Sequence, residues 1–171
     1  MKFQSQSQAD EHAVKVELAA EVLTSSGRLR LGVTGWSMLP TVWPGDTLVI
    51  ERANSEAVSE GDIVLFRRDG RFFVHRVIGK ITRDLAILTR GDAMTLPDPP
   101  VPDSDLMGKV VLIQRKGKRV KPGRDLSLSA RTVAAAVRRS ETIARVVVGV
   151  HGMLHGLLGQ NSNHRAAACQ N

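Results

Sequence analysis

Four side chains stand out for what they could do together: Ser37, His75, Asp92 and Asp98. Ser37 lies in the stretch T-G-W-S-M-L-P-T-V-W-P-G-D. Leu31 and Val33 lead into Gly35, and Pro40 and the Pro44-Gly45-Asp46 turn follow, so the spacing predicts a strand that ends and bends at the serine, with its hydroxyl directed into a groove. A serine is a weak nucleophile unless a base takes its proton, and that base needs a third group to orient it. His75, inside F-F-V-H-R-V-I, is the candidate base, because an ordinary imidazole titrates near ~6.5, where proton transfer near neutrality is effective. His12, His151, His155 and His164 fall in the appendages of the chain. For the orienting acid two residues stay open: Asp92, closing L-A-I-L-T-R-G-D, and Asp98, in the loop directly after it.

Each residue has a plainer reading when taken alone. Ser37 would be a turn serine, His75 a satisfied core histidine, and Asp92 a side chain that closes a turn. Met38 and Leu39 read as packing, and Trp36 and Trp43, which flank the serine, read as packing with one a candidate pocket wall. The order of the landmarks favours the joint reading over the separate ones.

The elements that must position these residues are strands. From Arg28 to Gln114 the chain is a series of short apolar runs between turn residues: L-R-L-G-V, T-L-V-I-E-R, D-I-V-L-F-R, R-F-F-V-H-R-V-I-G-K-I, L-A-I-L-T-R and G-K-V-V-L-I-Q-R. Six such runs predict a mainly β domain, a coiled antiparallel sheet or small barrel. Asp69-Gly70 is the clearest hairpin turn. The segment Leu96 to Pro102 (L-P-D-P-P-V-P) lacks most of its backbone donors and reads as an extended surface loop. The organisation expected is a polar tail and short helix over 1–27 (the helix Val14 to Leu23, stopped by Ser25-Ser26-Gly27), the β domain over 28–114, a basic linker over 115–127, an amphipathic helix over 128–160 and a tail over 161–171. The amphipathic helix has apolar positions including 133, 136, 137 and 144, with Arg131, Arg138, Arg139 and Arg145 largely elsewhere. It is suited to packing on the body, to self-association, or to peripheral membrane contact.

Composition narrows the partners. The 171 residues suffice for one domain with a core and appendages. A net charge of +7 favours anionic surfaces, but 4% aromatic residues and no tyrosine leave little for stacking on bases, so no nucleic-acid partner is expected. The single Cys169 allows no internal disulfide and no Cys/His metal site, so neither metal nor cofactor is expected. The polar N-terminus and the absence of an uncharged apolar run of ~18 residues predict no signal peptide and no spanning helix, hence a cytoplasmic or peripheral membrane location.

The boxes G-W-S-M-L-P-T, P-G-D, G-D-I-V-L-F, V-H-R-V-I and L-T-R-G-D, in this order over about Gly32 to Val111, resemble the signal peptidase I family of serine proteases (S24/S26 type). The resemblance implies a β-rich catalytic domain of coiled sheets that cleaves pre-proteins or precursor peptides after small side chains. Common bacterial members use a lysine base, whereas the archaeal and endoplasmic-reticulum branch uses histidine in an H-R-V box, as here. By this resemblance Ser37 is the nucleophile, His75 the general base, Asp98 the match for the catalytic acid and Asp92 the aspartate of the G-D box, while the Ser37 amide contributes to an oxyanion hole. The chain departs from the family in reading Gly91-Asp92-Ala93 where G-D-N is usual, and in lacking the family's membrane anchor. The alternative is a catalytically inactive peptide-binding module of the same fold. A self-cleaving repressor of that fold is disfavoured, because no Ala-Gly or Cys-Gly bond precedes Ser37 and such proteins use lysine where His75 stands.

Overall fold

The computed structural model describes residues 14, 16–125, 132, 134 and 135. The first element among the described residues is a helix, α1, over residues 16–26. Val16 and Leu23 are buried on its inner face, while Val14, Leu18 and Val22 are exposed. Gly27 ends it at φ 69°, a left-handed conformation that only glycine adopts without strain, and its N–H donates to the Leu23 carbonyl (3.0 Å). The Ser25 and Ser26 hydroxyls also bond back to the Val22 carbonyl, so the serines expected to stop the helix form its last turn instead.

Eight strands follow: β1 (Arg28–Gly32), β2 (Thr47–Arg52), β3 (Ile63–Arg68), β4 (Arg71–Ile81), β5 (Ala86–Arg90), β6 (Val101–Pro102), β7 (Leu106–Arg115) and β8 (Lys118–Val120). They form one sheet in the order β1-β2-β7-β3-β4-β5-β6, with β8 paired to β7, and every pairing is antiparallel. The fold is mainly β as expected, and of the two forms expected it takes the open sheet, not a closed barrel. Register shifts at Val49/Ile50, Leu65/Phe66 and Val77/Gly79 give the sheet its bends.

Central position explains the pattern of β3. Its residues alternate between two cores: Ile63 and Leu65 join Leu23, Met38, Val42, Leu48, Ile50, Val110 and Ile113, while Val64 and Phe66 join Val58, Val77, Ile87, Val101 and Leu106. A strand buried on both faces reads as a continuous apolar run, here I-V-L-F, and not as an alternation. Removing the Phe66 ring, fully buried, would cost about 3–5 kcal/mol.

All six sequence-read strands are present, and Asp69-Gly70 turns β3 into β4 with φ of 50° and 66°. Two strands were not anticipated. Within the proline-rich segment, Val101 and Pro102 form the short edge strand β6 opposite Ile87 and Ala86. Proline is tolerated at an edge because its missing N–H would face solvent. In the basic segment, Lys116 (φ 48°) and Gly117 (φ 77°) make a tight turn that folds β8 back on β7, so this stretch begins as a hairpin and not as a linker. The C-terminal amphipathic helix expected over 128–160 lies largely outside the described residues; of that stretch 132, 134 and 135 are described and are helical.

Candidate active site

Ser37 sits in a run of turns, 37–41, between β1 and β2, where the segment after β1 leaves the sheet. The turn is pinned from three sides. Met38 and Leu39 are buried, the Val42 N–H donates to the Met38 carbonyl (2.9 Å), and Asp46 of the P-G-D turn accepts both the Trp43 N–H (2.8 Å) and the guanidinium of Arg115 (2.9 and 2.7 Å). Neither Trp36 nor Trp43 lines the cavity beside the serine; the Trp43 indole N–H donates to the Pro40 carbonyl (2.7 Å).

His75 comes from β4, directly opposite Val64 of β3, and is 5% exposed. It packs edge-on to Phe66 and beside Phe73, which fixes the ring plane. Its Nε2 lies 3.1 Å from Ser37 Oγ, and its Nδ1 lies 2.7 Å from Asp98 Oδ2. Burial raises the pKa of Asp98, but hydrogen bonds from His75 and Thr89, with the positive charge of Arg68 nearby, outweigh it and hold the carboxyl below its ordinary value. An ionised carboxylate only accepts, so Nδ1 carries the proton donated to Asp98 and Nε2 is left as the acceptor facing the serine hydroxyl.

The proline-rich loop that carries Asp98 is held tightly. The Asp98 N–H donates to the Thr89 carbonyl (2.8 Å), the buried Thr89 hydroxyl donates to Asp98 Oδ2 (2.7 Å), and Arg68 donates to the carbonyls of Pro99 and Pro100 (2.9 and 3.3 Å). Prolines have no N–H to give, so their carbonyls are fastened by side chains instead. Neither Thr89 nor Arg68 was singled out from the sequence, and no local signal marks either; T-R-G-D contains the threonine only as a strand residue.

Asp92 takes a different place. Its two carboxylate oxygens accept Nε and one Nη of Arg76, each at 2.8 Å, and it also accepts the Thr41 hydroxyl. Asp92 and Arg76 are both buried, a bidentate pair of the kind that is costly to break on one side. The other Nη of Arg76 donates to the carbonyls of Gly61 (2.7 Å), Gly123 (2.7 Å) and Arg124 (3.1 Å). Arg76 therefore ties the segment after β8 to the G-D turn before β3. One residue further on, the Ala93 N–H donates to the Ser37 carbonyl (2.9 Å). So the carboxylate bonded to His75 is that of Asp98, while Asp92 anchors the backbone that abuts Ser37.

An apolar cavity of about 460 Å³ opens beside Ser37. Leu31 to Gly35 border one side and Phe72 to Val74 another, with Val16 and Ala19 of α1 as a further wall. Both bordering strands have unused edges among the described residues: β1 pairs only with β2, and the β4–β5 register begins at Arg76, so 71–74 pair with β3 alone. Such edges can hydrogen bond an extended peptide, while alternate side chains enter the apolar space. A serine with an oriented imidazole at the end of such a groove can open an acyl bond by nucleophilic attack.

This antiparallel sheet with its Ser, His and Asp side chains in hydrogen-bond sequence is a serine-peptidase type of fold. The chain belongs to the Peptidase S24-like family, whose model matches residues 2–111. Comparison with curated proteins found no match. Among the described residues no helix is long and apolar enough to cross a membrane.

Proposed function

We propose that the chain is a serine endopeptidase of the signal peptidase type, in its histidine-base branch, acting on an extended pre-protein or precursor peptide and cutting after a small residue. The observation that carries this reading is the chain of contacts from Ser37 Oγ through His75 to Asp98, at 3.1 and 2.7 Å, at the end of an apolar groove. In the proposed reaction the peptide lies along 31–35 and 72–74. Ser37 Oγ attacks the scissile carbonyl as His75 Nε2 takes its proton, and Asp98 stabilises the imidazolium that forms. The Ser37 N–H faces the oxygen on which negative charge develops. The imidazolium then protonates the leaving amine, and water repeats the sequence on the acyl-serine with His75 again as base.

The test is a diverse peptide library, read by mass spectrometry, with wild type, Ser37→Ala and His75→Ala side by side from pH 5 to 9, with and without anionic vesicles. The expected result is cleavage after small residues by wild type and its loss in both variants. Binding of the same peptides by all three proteins with no cleavage by any would instead identify an inactive peptide-binding module.

A further inference from the structure

Helix α1 precedes every element of the sheet, yet it reaches the space beside Ser37. Val16 and Ala19, one turn apart on its inner face, complete the cavity wall facing Leu31, Val33, Phe72 and Val74. The helix is held there by Leu23, which is 1% exposed and belongs to the same core as Met38, the residue after the serine. Its placement is thus coupled to the core under the site and not to a surface contact alone. Every side chain on this part of the wall is aliphatic or aromatic, and among the described residues no charged one lines the cavity.

A peptide paired to the edges of 31–35 and 71–74 that no described strand uses alternates its side chains, so every second one enters this apolar space. We propose that Val16 and Ala19 are specificity-determining residues, forming a subsite that selects an aliphatic side chain at one position of the bound peptide. This rests on the peptide-groove reading above, though not on hydrolysis. Ala19 leaves room where a larger residue would fill the subsite, and Val16 sets its depth. An apolar pocket discriminates by volume, and one methylene too many or too few changes binding by about tenfold or more.

The experiment measures binding and cleavage separately. A positional-scanning library of blocked decapeptides is bound to Ser37→Ala protein and cut by the active-serine protein, each with native α1, with Ala19→Phe and with Val16→Ala; thermal melts establish that each variant is folded. The expected result is a preference for Val, Leu or Ile at one position with native α1. Ala19→Phe then shifts that position to Gly and Ala by about tenfold, and Val16→Ala shifts it toward Met and Phe, while other positions keep their profiles. If the binding profile shifts but no protein cuts, the subsite stands and the peptidase reading fails. If both folded variants keep the native profile at every position, or if no peptide is bound or cut, the subsite is overturned.

Discussion

A Cβ placed on Gly91 would lie 2.6 Å from the carbonyl oxygen of Ser37 and 3.2 Å from His75 Nε2. The first contact is with backbone and is closer than real Cβ contacts come, so the serine turn and the G-D turn touch only because residue 91 has no side chain. The same junction is closed by the hydrogen bond from Ala93 to Ser37. Gly91→Ala is expected to push the serine turn away from the histidine. A displacement of about 1 Å at reacting atoms lowers rate by about a hundredfold. Single-turnover cleavage kinetics check this, with the expectation that kcat falls more than KM rises.

Asp98→Asn tests the tautomer. An amide can donate to Nδ1 and so leave the proton on Nε2, where it faces the serine. The expected loss in kcat is about 10³- to 10⁴-fold with folding retained. A variant with near wild-type kcat would remove Asp98 from the proposed mechanism.

Thr89→Val keeps the shape of a fully buried side chain and deletes its hydroxyl, which donates to Asp98. A hydrogen bond to a charged group contributes about 1.5–3 kcal/mol, so urea denaturation should show a loss in that range. Cleavage should fall less than in Asp98→Asn, because the carboxylate still bonds His75.

Asp92→Ala leaves the buried guanidinium of Arg76 without its bidentate partner. Breaking a buried pair on one side costs about 3–5 kcal/mol, measured as a lower denaturant midpoint at unchanged m. The variant should also loosen residues 123–124, whose carbonyls Arg76 binds, and amide hydrogen exchange there should rise.

The pH dependence of stability follows from carboxylates held below their ordinary pKa. In Asp98 the bonds from His75 and Thr89 overcome the opposing effect of burial; in Asp62 the Ser59 N–H and Lys109 do so. Such a group stabilises the fold fully above its unfolded pKa, near ~3.9, and the contribution is lost as pH falls through the lower folded value. The part of the stability difference between wild type and Asp98→Asn that comes from this carboxylate should therefore narrow as pH falls below about 4, as read by thermal melts.

Local pattern was enough for the six longer strands and the Asp69-Gly70 hairpin, because residue alternation and turn chemistry are written in neighbouring residues, while the contact of Ser37 with His75, 38 positions on, was suggested by the order of the boxes. The helix was legible in the same way, expected over Val14 to Leu23 and found over 16–26. Residue types and spacing left the two aspartates open, the family resemblance pointed to Asp98, and the tertiary structure shows Asp98 as the one that bonds His75. Asp92 and Asp98 are the same residue type six positions apart, and what separates them is that Thr89 folds one back toward His75 while Arg76, from the neighbouring strand, binds the other. The strands β6 and β8 escaped for a related reason: two or three residues carry no period, and their pairing is set by the partner strands β5 and β7. The placement of α1 against the groove likewise depends on Leu23 finding the core built from distant strands, a contact that no spacing within the helix encodes.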